Sequence, residues 1–233
     1  MPSYRKGMAA DVFGRTASWA VDSIMLDGNS NLMDKPSDIN AHLAERLRGL
    51  RSERGLTLDG LAERTGVSRS MISLIERGES SPTAAVLDRL AGGLGVTLAS
   101  LFAEKGRDDA SPLARRAEQR VWTDPATGYV RRNLSAPGHP SPIELVEVML
   151  PAGARVAYDT GPRVVGVKQQ VWLIAGMIDL TVGADTYRLE TGDCLSMDID
   201  QLIVFHNPTD RTARYLVALA TDHAGGATLR SSP

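Results

Sequence analysis

Arg69, Ser70, Ser73 and Arg77 are side chains of the types that reach base edges and phosphate oxygens: small hydroxyls that donate or accept, and guanidiniums that bond in pairs. At helical spacing they share one face of a short segment. The opposite face carries Ile72 and Ile75, which a core would bury. Ser68 stands just ahead of them, where a hydroxyl caps the free amides of a first helical turn, and Thr57 holds the same place before an earlier segment. The plainer alternative is that the polar residues are only the wet side of a core-packing helix.

The run Leu61 to Glu76, LAERTGVSRSMISLIE, predicts the elements that would position them: two short helices joined by a tight turn at Gly66, in the layout of a helix-turn-helix. Leu58, Leu61 and Ala62 fall on one face of the first helix, and Val67 closes the turn onto the core. Around this unit, Arg46-Leu47-Arg48-x-Leu50-Arg51, Ile72-Ser73-x-Ile75-Glu76-x-Gly78, Ser81-Pro82-Thr83 and Leu90-Ala91-x-x-Leu94-Gly95-Val96 complete a pattern running from Leu47 to Phe102. That segment resembles the DNA-binding domain of the Xre family, which includes the lambda repressor-like phage regulators. The resemblance implies a five-helix, all-α domain that reads double-stranded DNA through Thr57, Ser68, Arg69, Ser70, Ser73 and Arg77. Leu58 stands where many members carry a DNA-touching glutamine, which leaves Thr57 to approach phosphate there. Arg46, Arg48 and Arg51 either show charge to water or, at one of them, touch phosphate.

A chain of 233 residues with 42% hydrophobic content and a formal net charge of −2 fits two ordinary soluble domains. No segment is long and apolar enough to cross a membrane, the start of the chain lacks the apolar core of a secretory signal, and the single cysteine, Cys194, forms no intramolecular disulfide. These features point to a reducing cytoplasm. The net charge does not advertise nucleic acid, but the basic residues of the helical domain are all arginines, so placement carries the inference. The expected organisation is a disordered arm over 1–36, with a short helix from Arg15 to Leu26 as the alternative. A helix-turn-helix domain over 37–103, a polar linker over 104–118, a β domain over 119–223 and a flexible tail over 224–233 follow.

Beyond the linker the hydrophobic period switches to two. Ile143 to Leu150, Gln169 to Ile174, Ile178 to Val182 and Leu216 to Leu219 are rich in Val, Ile and Leu, with turns marked by Pro151, Gly153, Gly176, Gly183 and Gly192. Pro151-x-Gly153, Trp172-Leu173-Ile174-x-Gly176, Leu189-x-x-Gly192-Asp193 and Asn207-Pro208 resemble the turns of the cupin family, which implies an all-β jelly-roll barrel, a double-stranded β-helix. Metal-dependent cupins hold an ion with a His-x-His pair, a glutamate and a further histidine. By the same resemblance Gln169 falls at the glutamate position and Ile203 at that last histidine, and no His-x-His lies between Gly153 and Gln169. No metal and no cofactor are therefore expected, and Tyr158, Arg163, Lys168, Gln169 and Ile203 are the candidate residues of an organic-ligand pocket. Arg163 and Lys168 either bind an anionic effector or sit on a solvated loop. His206, out of phase with Ile203 and Phe205, is expected at the surface or a strand edge; Cys194 is expected in buried packing, with redox sensing as its alternative. Trp172, opposite in parity to Gln169, is expected to pack between sheets or subunits rather than on a ligand.

Together the two resemblances imply a bacterial transcription regulator of the Xre-cupin type, a non-enzyme whose barrel senses a small-molecule effector and pairs two subunits into a homodimer on an operator. Two other readings stay open on residues alone: a metal-free, isomerase-like cupin enzyme tethered to DNA, and an antitoxin-like binding protein whose barrel serves only to dimerise.

Overall fold

The computed structural model describes residues 36–104, 109–158 and 166–221; the expectations for the arm, for Arg163 and for the tail beyond Thr221 lie outside them. Five helices come first. α1 (Pro36–Glu53) buries Ile39, Leu43, Leu47 and Leu50 at three- and four-residue spacing. α2 (Leu58–Thr65) and α3 (Arg69–Glu76) follow, then α4 (Ala84–Gly93) and α5 (Leu98–Phe102). The turn between α2 and α3 depends on Gly66, whose φ of 65° lies in the left-handed region that costs a residue with a Cβ most. Close approach fixes another glycine: a Cβ on Gly93 at the end of α4 would stand 2.3 Å from Thr65 Cγ2.

A 3-10 turn at Arg116–Glu118 leads into the β region. Its strands are β1 (Val121–Thr123), β2 (Val130–Asn133), β3 (Ile143–Leu150), β4 (Arg155–Tyr158), β5 (Val167–Ala175), β6 (Met177–Val182), β7 (Asp185–Glu190), β8 (Cys194–Asp198), β9 (Ile203–His206) and β10 (Ala213–Thr221). They form a six-stranded sheet ordered β1-β2-β3-β10-β5-β8 and a four-stranded sheet ordered β4-β9-β6-β7, with every pairing antiparallel. Two such sheets facing one another across a shared core make the jelly-roll barrel of the cupin type. Alternation along β5 is strict: Val167, Gln169, Val171 and Leu173 are buried, whereas Lys168, Gln170 and Trp172 face outward.

At the corner where β9 ends, Asn207 is fully buried and takes the place of a run of main-chain pairing. Its Nδ2 donates to the carbonyl oxygens of Leu150 and Pro151 at 3.0 Å and of Arg211 at 2.7 Å. Its Oδ1 accepts from the Thr209 amide at 3.0 Å and the Thr209 hydroxyl at 2.8 Å. One amide thus ties the first and second cupin-like turns together.

The helices and the barrel share one continuous apolar core, in which the Phe102 ring of α5 meets Trp122 of β1 with centroids 5.7 Å apart. Polar contacts cross the same junction. Asp124, nearly fully buried in the β1–β2 turn, accepts from the Ala84 amide at the start of α4 at 3.1 Å. Glu144 of β3 accepts from the hydroxyls of Thr97 at 2.6 Å and Ser100 at 2.9 Å, at the start of α5. The polar stretch after Glu104 is therefore not the sole connection between the halves.

Three expectations are corrected. Cys194 is exposed at the start of the edge strand β8 rather than packed inside. Trp172 is 48% exposed on the outer face of β5, so of the two packings expected for it, between sheets or between subunits, the first is excluded. Lys168 points out of the barrel, pairing with Asp198 on β8, because it neighbours the inward Gln169 in an extended strand and takes the opposite side.

Replacing Asn207 with Ala would remove the donor shared by the Leu150, Pro151 and Arg211 carbonyls and leave the Thr209 amide without its acceptor; a loss of roughly 3 kcal/mol is expected, read as a fall in urea midpoint at unchanged m-value.

Candidate DNA-reading helix and barrel cavity

The turn is built by caps. Thr57, extended at ψ 166°, accepts from the Gly60 amide at 3.0 Å and starts α2; Ser68 accepts from the Met71 amide at 3.2 Å and starts α3. Between them the Thr65 hydroxyl donates to the Leu61 carbonyl at 2.8 Å and accepts from the Val67 amide at 3.3 Å, while buried Val67 pins the turn to the core. With Ile72 and Ile75 buried, α3 presents Arg69, Ser70 and Arg77 to solvent and Ser73 at the margin.

These side chains are held by weak surface contacts that phosphate can displace. Arg69 lies 3.2 Å from Asp59 of α2, both well exposed. Ser70 exchanges a hydrogen bond with Ser68 at 3.1 Å. Arg77 donates to Ser73 Oγ at 2.6 Å and forks onto Glu79 at 2.8 Å; that bond holds the Arg77 pKa above its ordinary value and the Glu79 pKa below it. All six sequence-predicted DNA contacts, Thr57, Ser68, Arg69, Ser70, Ser73 and Arg77, thus sit on or at the ends of this two-helix unit.

Behind α3 lies the contact that fixes its angle. Buried Glu76 accepts from Arg51 Nε at 2.7 Å and Nη2 at 2.8 Å, and the same guanidinium donates to the Leu56 carbonyl at 2.8 Å. The Glu76 bond raises the Arg51 pKa. Arg48 donates to the Glu76 carbonyl, and Arg46 to the Ser100 carbonyl at 3.3 Å. The three arginines of α1 therefore hold α3 and α5 in place, the role that neither alternative in the sequence reading named.

The second site is a cavity inside the barrel. Tyr158, Gln169 and Ile203 line it, together with Tyr129, Arg131, Phe205 and Tyr215, and part of its wall is helical: Asp88 of α4, with Thr97 and Leu98 at the start of α5. Of the sequence-predicted pocket residues, Lys168 is outside and Arg163 lies beyond the described residues. Arg131, the one arginine in the lining, was missed. It lies in a four-residue strand too short to show a period, and an arginine in such a strand ordinarily faces water. Aromatic packing orders the lining: Phe205 stacks on Tyr215 at 5.4 Å and meets Tyr158 edge-on at 5.9 Å. Burial, before any other cause, pushes the Tyr158 and Tyr215 phenols well above their usual pKa and keeps them neutral.

The positions that would carry metal ligands in a metal-dependent cupin hold Gln169 and Ile203, both buried. Among the described residues no group of three His, Cys, Asp or Glu side chains is arranged to hold an ion. An amide and an aliphatic chain do not fit a divalent transition metal. His206, half-buried, lies 3.9 Å from Asp179 on the four-stranded sheet rather than in the cavity lining.

Residues 42–102 match the family described as the helix-turn-helix domain. The chain is 30% identical over 173 residues to the HTH-type transcriptional regulator SutR of Escherichia coli (strain K12), covering 74% of this chain and 91% of that protein. It is also 24% identical to the HTH-type transcriptional regulator PuuR of the same organism, covering 78% and 96% of the two chains. Among solved structures, the HTH_3 family transcriptional regulator from Vibrio cholerae matches with a TM-score of 0.62 at 26% identity, covering 80% of this chain and 98% of that one.

The chain belongs to the Xre-like helix-turn-helix transcriptional regulators. In this regulator the DNA-binding half and a cupin barrel are joined in one chain, and among the described residues no helix is long and apolar enough to cross a membrane.

Removing the Glu76 carboxylate would strand the Arg51 guanidinium between α1 and α3. Glu76→Ala is expected to cost the regulator about 3 kcal/mol, measured as a lowered midpoint of chemical unfolding.

Proposed function

We propose that the regulator binds its operator as a homodimer through α3, and that a small molecule in the barrel cavity changes the affinity of that binding. The observation that carries this reading is the shared wall of the cavity: Asp88, Thr97 and Leu98 belong to the helices that pack behind the DNA-reading unit, while the rest of the lining belongs to the barrel. A ligand touching both halves has different contacts in any arrangement that separates them, which is the physical requirement for regulation; a coupling of about 1–3 kcal/mol suffices.

In this reading Arg69, Ser70 and Ser73 face the major groove, Thr57 and Ser68 hold helix starts whose amides face phosphate, and Arg77 contacts the backbone of the duplex. An eight-residue helix reaches only a few base pairs, so two copies on half-sites about one helical turn apart supply what one cannot. The barrel binds and does not turn over, consistent with relatives named as transcriptional regulators. In this reading the protein works in the cytoplasm, where a bacterial operator lies.

Gel shift and light scattering test the reading together. Arg69→Ala should weaken operator binding by roughly 1–3 kcal/mol, and Asp59→Asn, which frees Arg69 from its carboxylate neighbour, should tighten binding to any duplex several-fold at low salt. An Arg69→Ala protein that binds its operator as tightly as the parent, or a particle of one-chain mass on the operator, overturns the proposal.

A further inference from the structure

Among the described residues, the Arg131 guanidinium is a buried charge whose partners do not account for it. It is 5% exposed, lies in the cavity lining, and its Nε and Nη2 have no hydrogen-bond partner. Its one hydrogen bond is a long one, from Nη1 to the Tyr129 hydroxyl at 3.4 Å, and its cation sits 5.6 Å from the centroid of the Phe102 ring. The nearby carboxylate, Glu144, has both oxygens engaged by Thr97 and Ser100. Burial lowers the Arg131 pKa, but the surrounding Tyr129 and Tyr158 outweigh it and keep the group charged. Buried guanidiniums are ordinarily paired, so N–H groups left over inside a cavity indicate something that accepts from them.

We propose that the cavity binds a small monocarboxylate with an apolar body, its carboxylate received by Arg131 and its body by the aromatic and aliphatic wall. The unpartnered Nε and Nη2 of Arg131 are two donors at the spacing of carboxylate oxygens, the fork geometry in which arginine binds this group best. Tyr158 and Tyr215, neutral phenols, and the Gln169 amide can add donors to the same head. Phe205, Ile199 and Leu219 receive the apolar remainder. The lining holds one arginine and one aspartate, Asp88; that balance disfavours phosphates and polycarboxylates, which bring more negative charge than Arg131 neutralises. The room open to the centre of a water is about 50 Å³, several times the ~10–15 Å³ that one water requires, and so suits a molecule of few heavy atoms. This inference deepens the sensor reading and rests on it: Arg131 bears on Phe102 of α5, so a carboxylate drawing on the guanidinium acts directly against a helix of the DNA-binding half.

The test uses the full chain with isobutyrate and benzoate as probes, isobutyramide and benzamide as uncharged counterparts, and phosphate as the competing anion, by thermal shift and calorimetry. At least one carboxylate is expected to raise the melting temperature saturably and to bind at least tenfold more tightly than its amide. Arg131→Met should lose that binding at least tenfold. Arg131→Lys, which keeps the charge without the fork, serves where the Met variant does not fold, and should weaken binding severalfold. Amides that protect as well as the acids, phosphate that protects equally, carboxylates without effect, or Arg131 variants that bind as the parent does each overturn the proposal. A gel shift at saturating carboxylate separates the two readings. Carboxylate binding with unchanged operator affinity upholds the site and sinks the sensor, whereas an operator response to some other molecule with no carboxylate binding sinks the site alone.

Discussion

The arrangement of this regulator depends on how the barrel holds the starts of α4 and α5. The free amides at a helix start require acceptors, and here barrel side chains take part in supplying them. Asp124 accepts from the first amide of α4, and its other oxygen is held by the Thr127 hydroxyl at 2.5 Å. Thr97, which caps α5, is itself oriented by Glu144 of β3. A carboxylate at a helix start also meets the positive end of the helix dipole. Since these are buried or half-buried groups, separating the halves would leave several polar atoms unpaired at once. The DNA-reading unit is therefore mounted on the barrel rather than tethered to it.

That mounting extends to α3 through a short chain of contacts. Arg51 and Arg48 of α1 grip Glu76 at the end of α3, Arg46 of α1 reaches the α5 backbone, and α5 packs its Phe102 on Trp122 of the barrel. The exposed side of α3 needs none of these residues, so its serines and the two surface arginines are not consumed in holding the helix in place. An overall charge of −2 is compatible with this, because affinity for a polyanion depends on the charge at the contact, not on the sum.

The helical half was legible in the sequence because each part of it has a local cause: caps at Thr57 and Ser68, a left-handed glycine at Gly66, and apolar residues at helical spacing. In the barrel, the turns of the cupin resemblance placed Gln169 and Ile203, and parity put Phe205 on the side of Ile203; the alternation along β5 follows, whereas in β9 Val204 is buried as well. The same parity excludes Lys168, which cannot share the inward side with its neighbour Gln169; proposing both together overlooked the constraint. Cys194 misled because its strand lies at the sheet edge, where a small apolar residue has nothing to cover it. Arg131, Asp88, Thr97 and Leu98 could not be found from any local signal. Their place in the cavity follows from the docking of helices on strands far away in sequence, which no period records.

The chemistry of the barrel follows from what replaces the metal-binding positions. A cupin that holds an ion places carboxylate and imidazole groups inward, and their combined charge organises the interior around the cation. Here the two metal positions hold Gln169 and Ile203, and the lining adds three phenols, one guanidinium and one carboxylate, Asp88; on the proposed reading a monoanion completes the guanidinium. On the proposed reading, the exchange also changes which part of the fold a ligand would act on. The groups at the metal positions lie on β5 and β9, whereas Arg131 lies on β2 beneath Phe102. Neutralising Arg131 weakens its attraction to that ring, an interaction of about 1–2 kcal/mol for a desolvated pair. That is of the size required to shift the seating of α5, and with it the helices that read DNA.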